Sequence, residues 1–175
     1  MRRILLLLLA VFALASPAAA QGAFRSDRII VETRGRGPDV ILIPGLGSTA
    51  TAWGPAVNRL DDTHRLHLVT VRGFGDTAIA GNAEGGIEGP VANEIRRYMA
   101  EQRLNRPALI GHSMGGQIAL RVAADARDGV SRVMVVDSAP FFPALVDARA
   151  TSAQIEPIAQ VIYQALMLFG DSALS

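Results

Sequence analysis

Ala108-Leu109-Ile110-Gly111-His112-Ser113-Met114-Gly115-Gly116 is the stretch on which the reading of this 175-residue chain turns. The apolar run before Gly111 reads as the end of a buried strand. After it, Ile118, Val122 and Ala126 recur every fourth residue, a core-facing helical stripe over 114–126. Between the two lies the pattern G-x-S-x-G. A serine on a sharp strand-to-helix turn needs glycine two residues to either side, because neighbouring chain passes close and the backbone is strained. Such a turn pushes the hydroxyl out at the carboxyl end of a sheet. It also aims the first amides of the helix at the same spot, where an oxyanion can be held. The plainer alternative is a glycine-rich junction carrying an incidental serine.

Working outward, apolar β-branched runs alternate with helical patterns. Strands are expected over 28–33, 39–43, 66–71, 108–110 and 133–136, and helices over about 51–60, 91–103 and 114–126. This rhythm predicts an α/β fold, a mostly parallel sheet with helices on both faces. Segment 77–90 carries Gly81, Gly85, Gly86, Gly89 and Pro90 and reads as an exposed loop. Beyond 150 the pattern changes: Ile155, Ile158, Ile162, Leu166 and Phe169 form one apolar face, Thr151 with Gln154 offers a capping box, and Pro157 suggests a break.

Composition excludes several chemistries. The chain has 17 arginines and no lysine or cysteine, so disulfides, thiolate nucleophiles, cysteine-bound metals, Schiff bases and Walker-type phosphate loops are out. With 16 acidic residues the net charge is +1, which argues against nucleic acid as a partner. No cofactor and no metal is expected. Residues 1–20 read as a secretory signal peptide: Arg2-Arg3, a twelve-residue apolar run over 4–15, then Ala18-Ala19-Ala20 before Gln21. That run is shorter than the roughly 18 residues a spanning helix needs. The expectation is export to the periplasm or medium, with no stable membrane anchor after cleavage.

In these motifs the chain resembles the α/β-hydrolase family, from about residue 28 to 142. Pro44-Gly45-Leu46-Gly47-Ser48 sits where these hydrolases carry their oxyanion loop, often His-Gly-x-Gly, with proline here in place of histidine. Arg72-Gly73-Phe74-Gly75-Asp76, followed by Thr77, is similar to the family's Arg-Gly-x-Gly-x-Ser stretch, and Trp53 is also familiar. The resemblance implies Ser113 as nucleophile and the backbone N–H groups of Leu46 and Met114 as oxyanion donors. It implies hydrolysis of a carboxylic ester or similar acyl bond in a small-molecule substrate, since relatives that open epoxides generally carry aspartate at the elbow. After the signal peptide read from residues 1–20, it divides the chain into the first part of a hydrolase core (21–142) and the opening of a helical cap (143–175).

A rival reading uses the same loop. Gly45-x-Gly47-x-x-Ala50 follows a buried strand, and Arg72 ends the next one, as in an NAD(P)-dependent oxidoreductase. A dinucleotide site needs its helix to start inside the glycine motif, whereas Gly54-Pro55 interrupts the helix just after it.

The family order of catalytic residues is serine, acid, histidine, and no histidine occurs in 114–175. Asp137, at the end of the strand over 133–136, is the candidate acid. His112 is expected to pack rather than to serve Ser113, while His64 and His67 are expected to be partly exposed and structural. Two readings stay open here: a serine hydrolase chain that lacks its base and is cut off in the cap region, or a secreted binding module that keeps the scaffold without catalysis.

Overall fold

The computed structural model describes residues 24–139, 147–158 and 160–161; the signal-peptide reading of 1–20 lies outside them. Five strands, β1 (Ile29–Gly35), β2 (Asp39–Ile43), β3 (Arg65–Val71), β4 (Ala108–His112) and β5 (Arg132–Val136), form one sheet in the order β1-β3-β2-β4-β5. The pairs β3–β2, β2–β4 and β4–β5 are parallel, and β1 runs antiparallel to β3.

Period-two alternation explains the layers. Ile41, Ile43, Val69, Val71 and Leu109 face one side, where they pack with Val91, Ala92 and Ile95 of α2 (Glu88–Glu101) and Ile118, Ala119 and Val122 of α3 (Met114–Ala126). Val40, Leu42, Leu66 and Leu68 face the other, under Val57 and Leu60 of α1 (Gly54–Leu60). Both faces are therefore covered, as a parallel sheet requires. The predicted α/β architecture and the span of α3 hold.

Several expectations need correction. The 77–90 segment is not wholly loop: a 3-10 turn spans Ala80–Asn82, and α2 begins at Glu88. Pro90 sits in the first helical turn, where its missing N–H costs nothing because first-turn amides have no intrahelical acceptor. Asn82 is buried, its Nδ2 donating to the carbonyls of Arg28 and Arg72 at 2.9 Å each, so this segment is clasped to the sheet. The stretch before β3 is a 3-10 turn, Ala50–Trp53, followed by α1 with Pro55 at its start. The helix after 151 runs through Pro157 over 152–158. The carbonyl of Ala153 that the proline frees lies on an exposed turn, where water can satisfy it. The capping contact is present, Thr151 N–H donating to Gln154 Oε1 at 2.9 Å. Ile162, Leu166 and Phe169 lie outside the described residues.

Candidate active site

Ser113 stands between β4 and α3 with φ 51° and ψ −122°. A side-chain-bearing residue pays for that conformation, on the order of 1–3 kcal/mol, and keeps it only where the surroundings dictate it. They do. The Ser113 N–H donates to the Val136 carbonyl at 3.0 Å, and its own carbonyl accepts from Gly116 N–H at 2.8 Å. A Cβ at Gly111 would lie 2.1 Å from the Gly115 carbonyl oxygen, and one at Gly115 would lie 2.2 Å from the Ile43 oxygen. The elbow is thus pressed on itself and on the end of β2, and only glycine fits at either position.

That close approach brings in the loop after β2. A Cβ at Gly45 would stand 3.0 Å from His112 Nδ1 and 3.3 Å from Ser113 Cβ, so the Gly45 backbone abuts Ser113. Leu46 follows in a turn closed by Ser48 N–H donating to the Gly45 carbonyl at 3.1 Å, its side chain 69% exposed. Met114 opens α3, where an amide has no intrahelical acceptor. Among the described residues neither the Leu46 nor the Met114 amide is taken up by a hydrogen bond. The structure sets Gly45, the residue before Leu46, against Ser113, with Met114 next in the chain.

Asp137 follows β5 at the matching height, since His112 pairs with Val136 in register. It is exposed, with φ 48°. No hydrogen bond or ion pair joins it to a histidine among the described residues. His112 turns its ring to Gly45 and lines a hollow of ≈ 270 Å³ with Pro44, Ser48, Ala52, Trp53 and Val136.

The expectation that His67 is partly exposed is wrong. It is buried, at 2% exposure, because both ring nitrogens find partners: Nε2 lies 2.9 Å from Asp39 Oδ1 and Nδ1 lies 2.7 Å from the Tyr98 hydroxyl. Arg65 forks onto the same carboxylate at 2.5 and 3.1 Å. Burial pushes the His67 imidazole below its ordinary value, against the pull of Asp39. Burial also opposes ionisation of Asp39, but the Arg65 and His67 hydrogen bonds and charges outweigh it and hold that carboxyl low. Burial keeps Tyr98 protonated to higher pH than usual. Neutral His67 therefore donates from Nε2 to Asp39 and accepts at Nδ1 from Tyr98. Its register partner Ile41 pairs in turn with Leu109, four residues before Ser113, about 13 Å along the strand. His67 cannot serve the elbow. His64, just before β3, is held through Nδ1 by the Thr63 hydroxyl at 2.9 Å.

The dinucleotide reading fails on geometry. The helix after the glycine loop starts at Gly54, well past Gly45 and Gly47, so its amides do not face that loop. Arg72 Nε is engaged by the Ser26 carbonyl at 3.0 Å.

A strand, a strained serine and a helix packed against the loop of the neighbouring strand define a class, and comparison with known proteins agrees. The chain belongs to the α/β-hydrolase family, whose model matches residues 40–173. It is 34% identical over 113 residues to the pimeloyl-[acyl-carrier protein] methyl ester esterase of Aliivibrio salmonicida (strain LFI1238), covering 65% of this chain and 41% of that protein. It is also 34% identical over 103 residues to the N-formylmaleamate deformylase of Pseudomonas putida, covering 59% and 38%. Among solved structures, an esterase from Exiguobacterium antarcticum superposes with TM-score 0.60 at 29% identity, covering 65% of this chain and 43% of that one. A marine microorganism esterase superposes with TM-score 0.59 at 25% identity, covering 79% and 50%. The chain thus spans less than half the length of the curated esterase it matches.

Proposed function

We propose that the chain carries the nucleophile and oxyanion portion of a serine hydrolase acting on a carboxylic ester or similar acyl bond in a small-molecule substrate. The observation that carries this reading is the Ser113 elbow, held at φ 51° by contacts only glycines permit. A strained hydroxyl at the carboxyl end of the sheet, beside two uncommitted amides, suits attack on an acyl carbon with the developing oxyanion received by Leu46 and Met114 N–H. The related esterase and deformylase both act on acyl bonds by their names, which supports the same class.

None of the three histidines in the chain holds the Ser113 hydroxyl. A serine is a weak nucleophile until a positioned base takes its proton, so turnover by this chain is expected to be slow. Oxyanion donors alone retain roughly 10³–10⁴-fold catalysis over water. Asp137 is the candidate acid, placed beside the elbow by the β4–β5 register. Export, implied by residues 1–20, is part of the same proposal.

Excess fluorophosphonate probe on the full chain should add one phosphonyl group, mapped by peptide mass to Ser113. Label that persists after Ser113→Ala, or that maps elsewhere in the unaltered chain, overturns the assignment.

A further inference from the structure

The loop over 44–50, which carries the Leu46 amide, is held at three points. At its start the Pro44 carbonyl oxygen lies so near the elbow that a Cβ at Gly115 would stand 2.5 Å from it. In the middle, Ser48 N–H closes the turn over Leu46 and Gly47 by donating to the Gly45 carbonyl at 3.1 Å. At its end, Ala50 N–H donates to the Thr70 hydroxyl at 2.9 Å. This last bond reaches across 20 residues to β3, and among the described residues no other hydrogen bond ties the loop to that strand.

Thr70 is a polar residue in an apolar place. It is buried two positions past Leu68, and Leu66, Leu68 and Ala50 belong to one apolar cluster. Valine would fill a similar volume and suit a strand as well, so what threonine adds there is a hydrogen-bonding group. Ala50 opens the 3-10 turn Ala50–Trp53, and the first amides of a helical turn have no acceptor within it. The residue ahead, Thr49, makes no cap bond, because its hydroxyl meets that of Thr51 at 2.8 Å. Thr70 therefore supplies from another strand the acceptor that the turn lacks. Ala50 and Thr70 are each only 6% exposed, which leaves little access for water to take over the amide.

We infer that Thr70 is a positioning residue of the acyl-transfer site, its hydroxyl fixing the far end of the loop so that Leu46 N–H faces the oxygen of a substrate held at Ser113. This deepens the reading of Ser113 and its amides, and rests on it. The Leu46 side chain is 69% exposed and gives its own amide little anchorage, so the turn is set by the loop's two ends. An oxyanion donor must stand about 2.7–3.1 Å from the developing charge, and a misplacement of about 1 Å costs on the order of a hundredfold in rate.

The test is the rate at which a fluorophosphonate and its thiophosphonyl counterpart label Ser113 in the full chain. Sulfur accepts hydrogen bonds weakly, so the preference for the oxygen probe reports on the amides rather than on the folded fraction. Thr70→Val should lower the rate with the oxygen probe by about tenfold, a part of the hundredfold or more that loss of a whole donor costs, with little change for the sulfur probe. Thr70→Ser keeps the hydroxyl and should retain both the rate and the preference. Should Thr70→Val not fold, Ala50→Pro combined with Thr70→Ala removes donor and acceptor together and leaves no orphaned amide. Thr49 already has the extended backbone favoured before proline, φ −113° and ψ −179°, and this double variant should show the same loss. A Thr70→Val chain with unaltered rate and preference overturns the inference. So does equal slowing with both probes, the mark of a purely structural residue, and so does a Thr70→Ser chain that loses the preference as Thr70→Val does. An unaltered chain that takes no label at Ser113 overturns the acyl-transfer reading itself and this inference with it, so the two failures are distinct.

Discussion

At the scale of single residues, Ser113 holds a backbone conformation that folding alone would not favour. Its φ of 51° would suit glycine better, so Ser113→Gly should stabilise the chain by about 1 kcal/mol. Ser113→Ala, which keeps the strain, should leave stability nearly unchanged. Urea melts of the two variants check this; a glycine variant less stable than the alanine variant contradicts the strained-elbow account. His67 gives a second prediction. Its folded pKa lies below the ordinary histidine value, so the folded state prefers the neutral ring. The stability this contributes is complete above about pH 6.5 and is lost as pH falls through the folded pKa. Asp39, also depressed, adds a loss of the same sign at lower pH. Melts between pH 8 and 5 should show the decline, and His67→Gln should flatten its upper part; an unchanged slope in the variant contradicts the buried neutral assignment. The place of Ser113 and Met114 on the strand-to-helix turn was legible in the sequence, because one pentapeptide fixes both. The Asp39–His67–Tyr98 chain was not, because its bonds span 28 and 31 residues and exist only once β2, β3 and α2 are in register.

The elements show the same division. The span of α3 follows directly from its apolar stripe and from the glycines before it. The boundaries of α1 and α2 were harder to read, because a proline inside the first turn looks in sequence like a helix breaker. The contact that builds the site, between the α3 start and the end of β2, is invisible in sequence, since it joins Gly115 to Ile43. It is also what a mutation should break most sharply. A methyl at Gly115 would sit 2.2 Å from the Ile43 carbonyl oxygen and 2.5 Å from that of Pro44, both backbone atoms. Gly115→Ala should cost upwards of roughly 2 kcal/mol and displace the Leu46 turn from Ser113. Gly86→Ala, where an added Cβ meets nothing within 4 Å, should be close to neutral. Thermal melts of the pair decide the matter, and equal effects would sink the claim that β2 clamps the elbow.

For the whole molecule, the parallel sheet sets the positive φ of Ser113 where β4 finishes, and those of Arg103, Arg106 and Arg127 where β4 and β5 begin. Among the described residues, β5 stands at one edge of the sheet with Met134 58% exposed. The proposed function rests on one claim: Ser113 with the Leu46 and Met114 amides suits acyl transfer, and none of the three histidines in residues 1–175 is hydrogen-bonded to Ser113. An external base should then speed that transfer. Imidazole should accelerate hydrolysis of a short-chain nitrophenyl ester by the full chain in proportion to its concentration, above a Ser113→Ala control that subtracts imidazole's own reaction. The account predicts a gap between the two proteins that widens with added imidazole near pH 7.5. Identical rates for the two proteins at every imidazole concentration would contradict it.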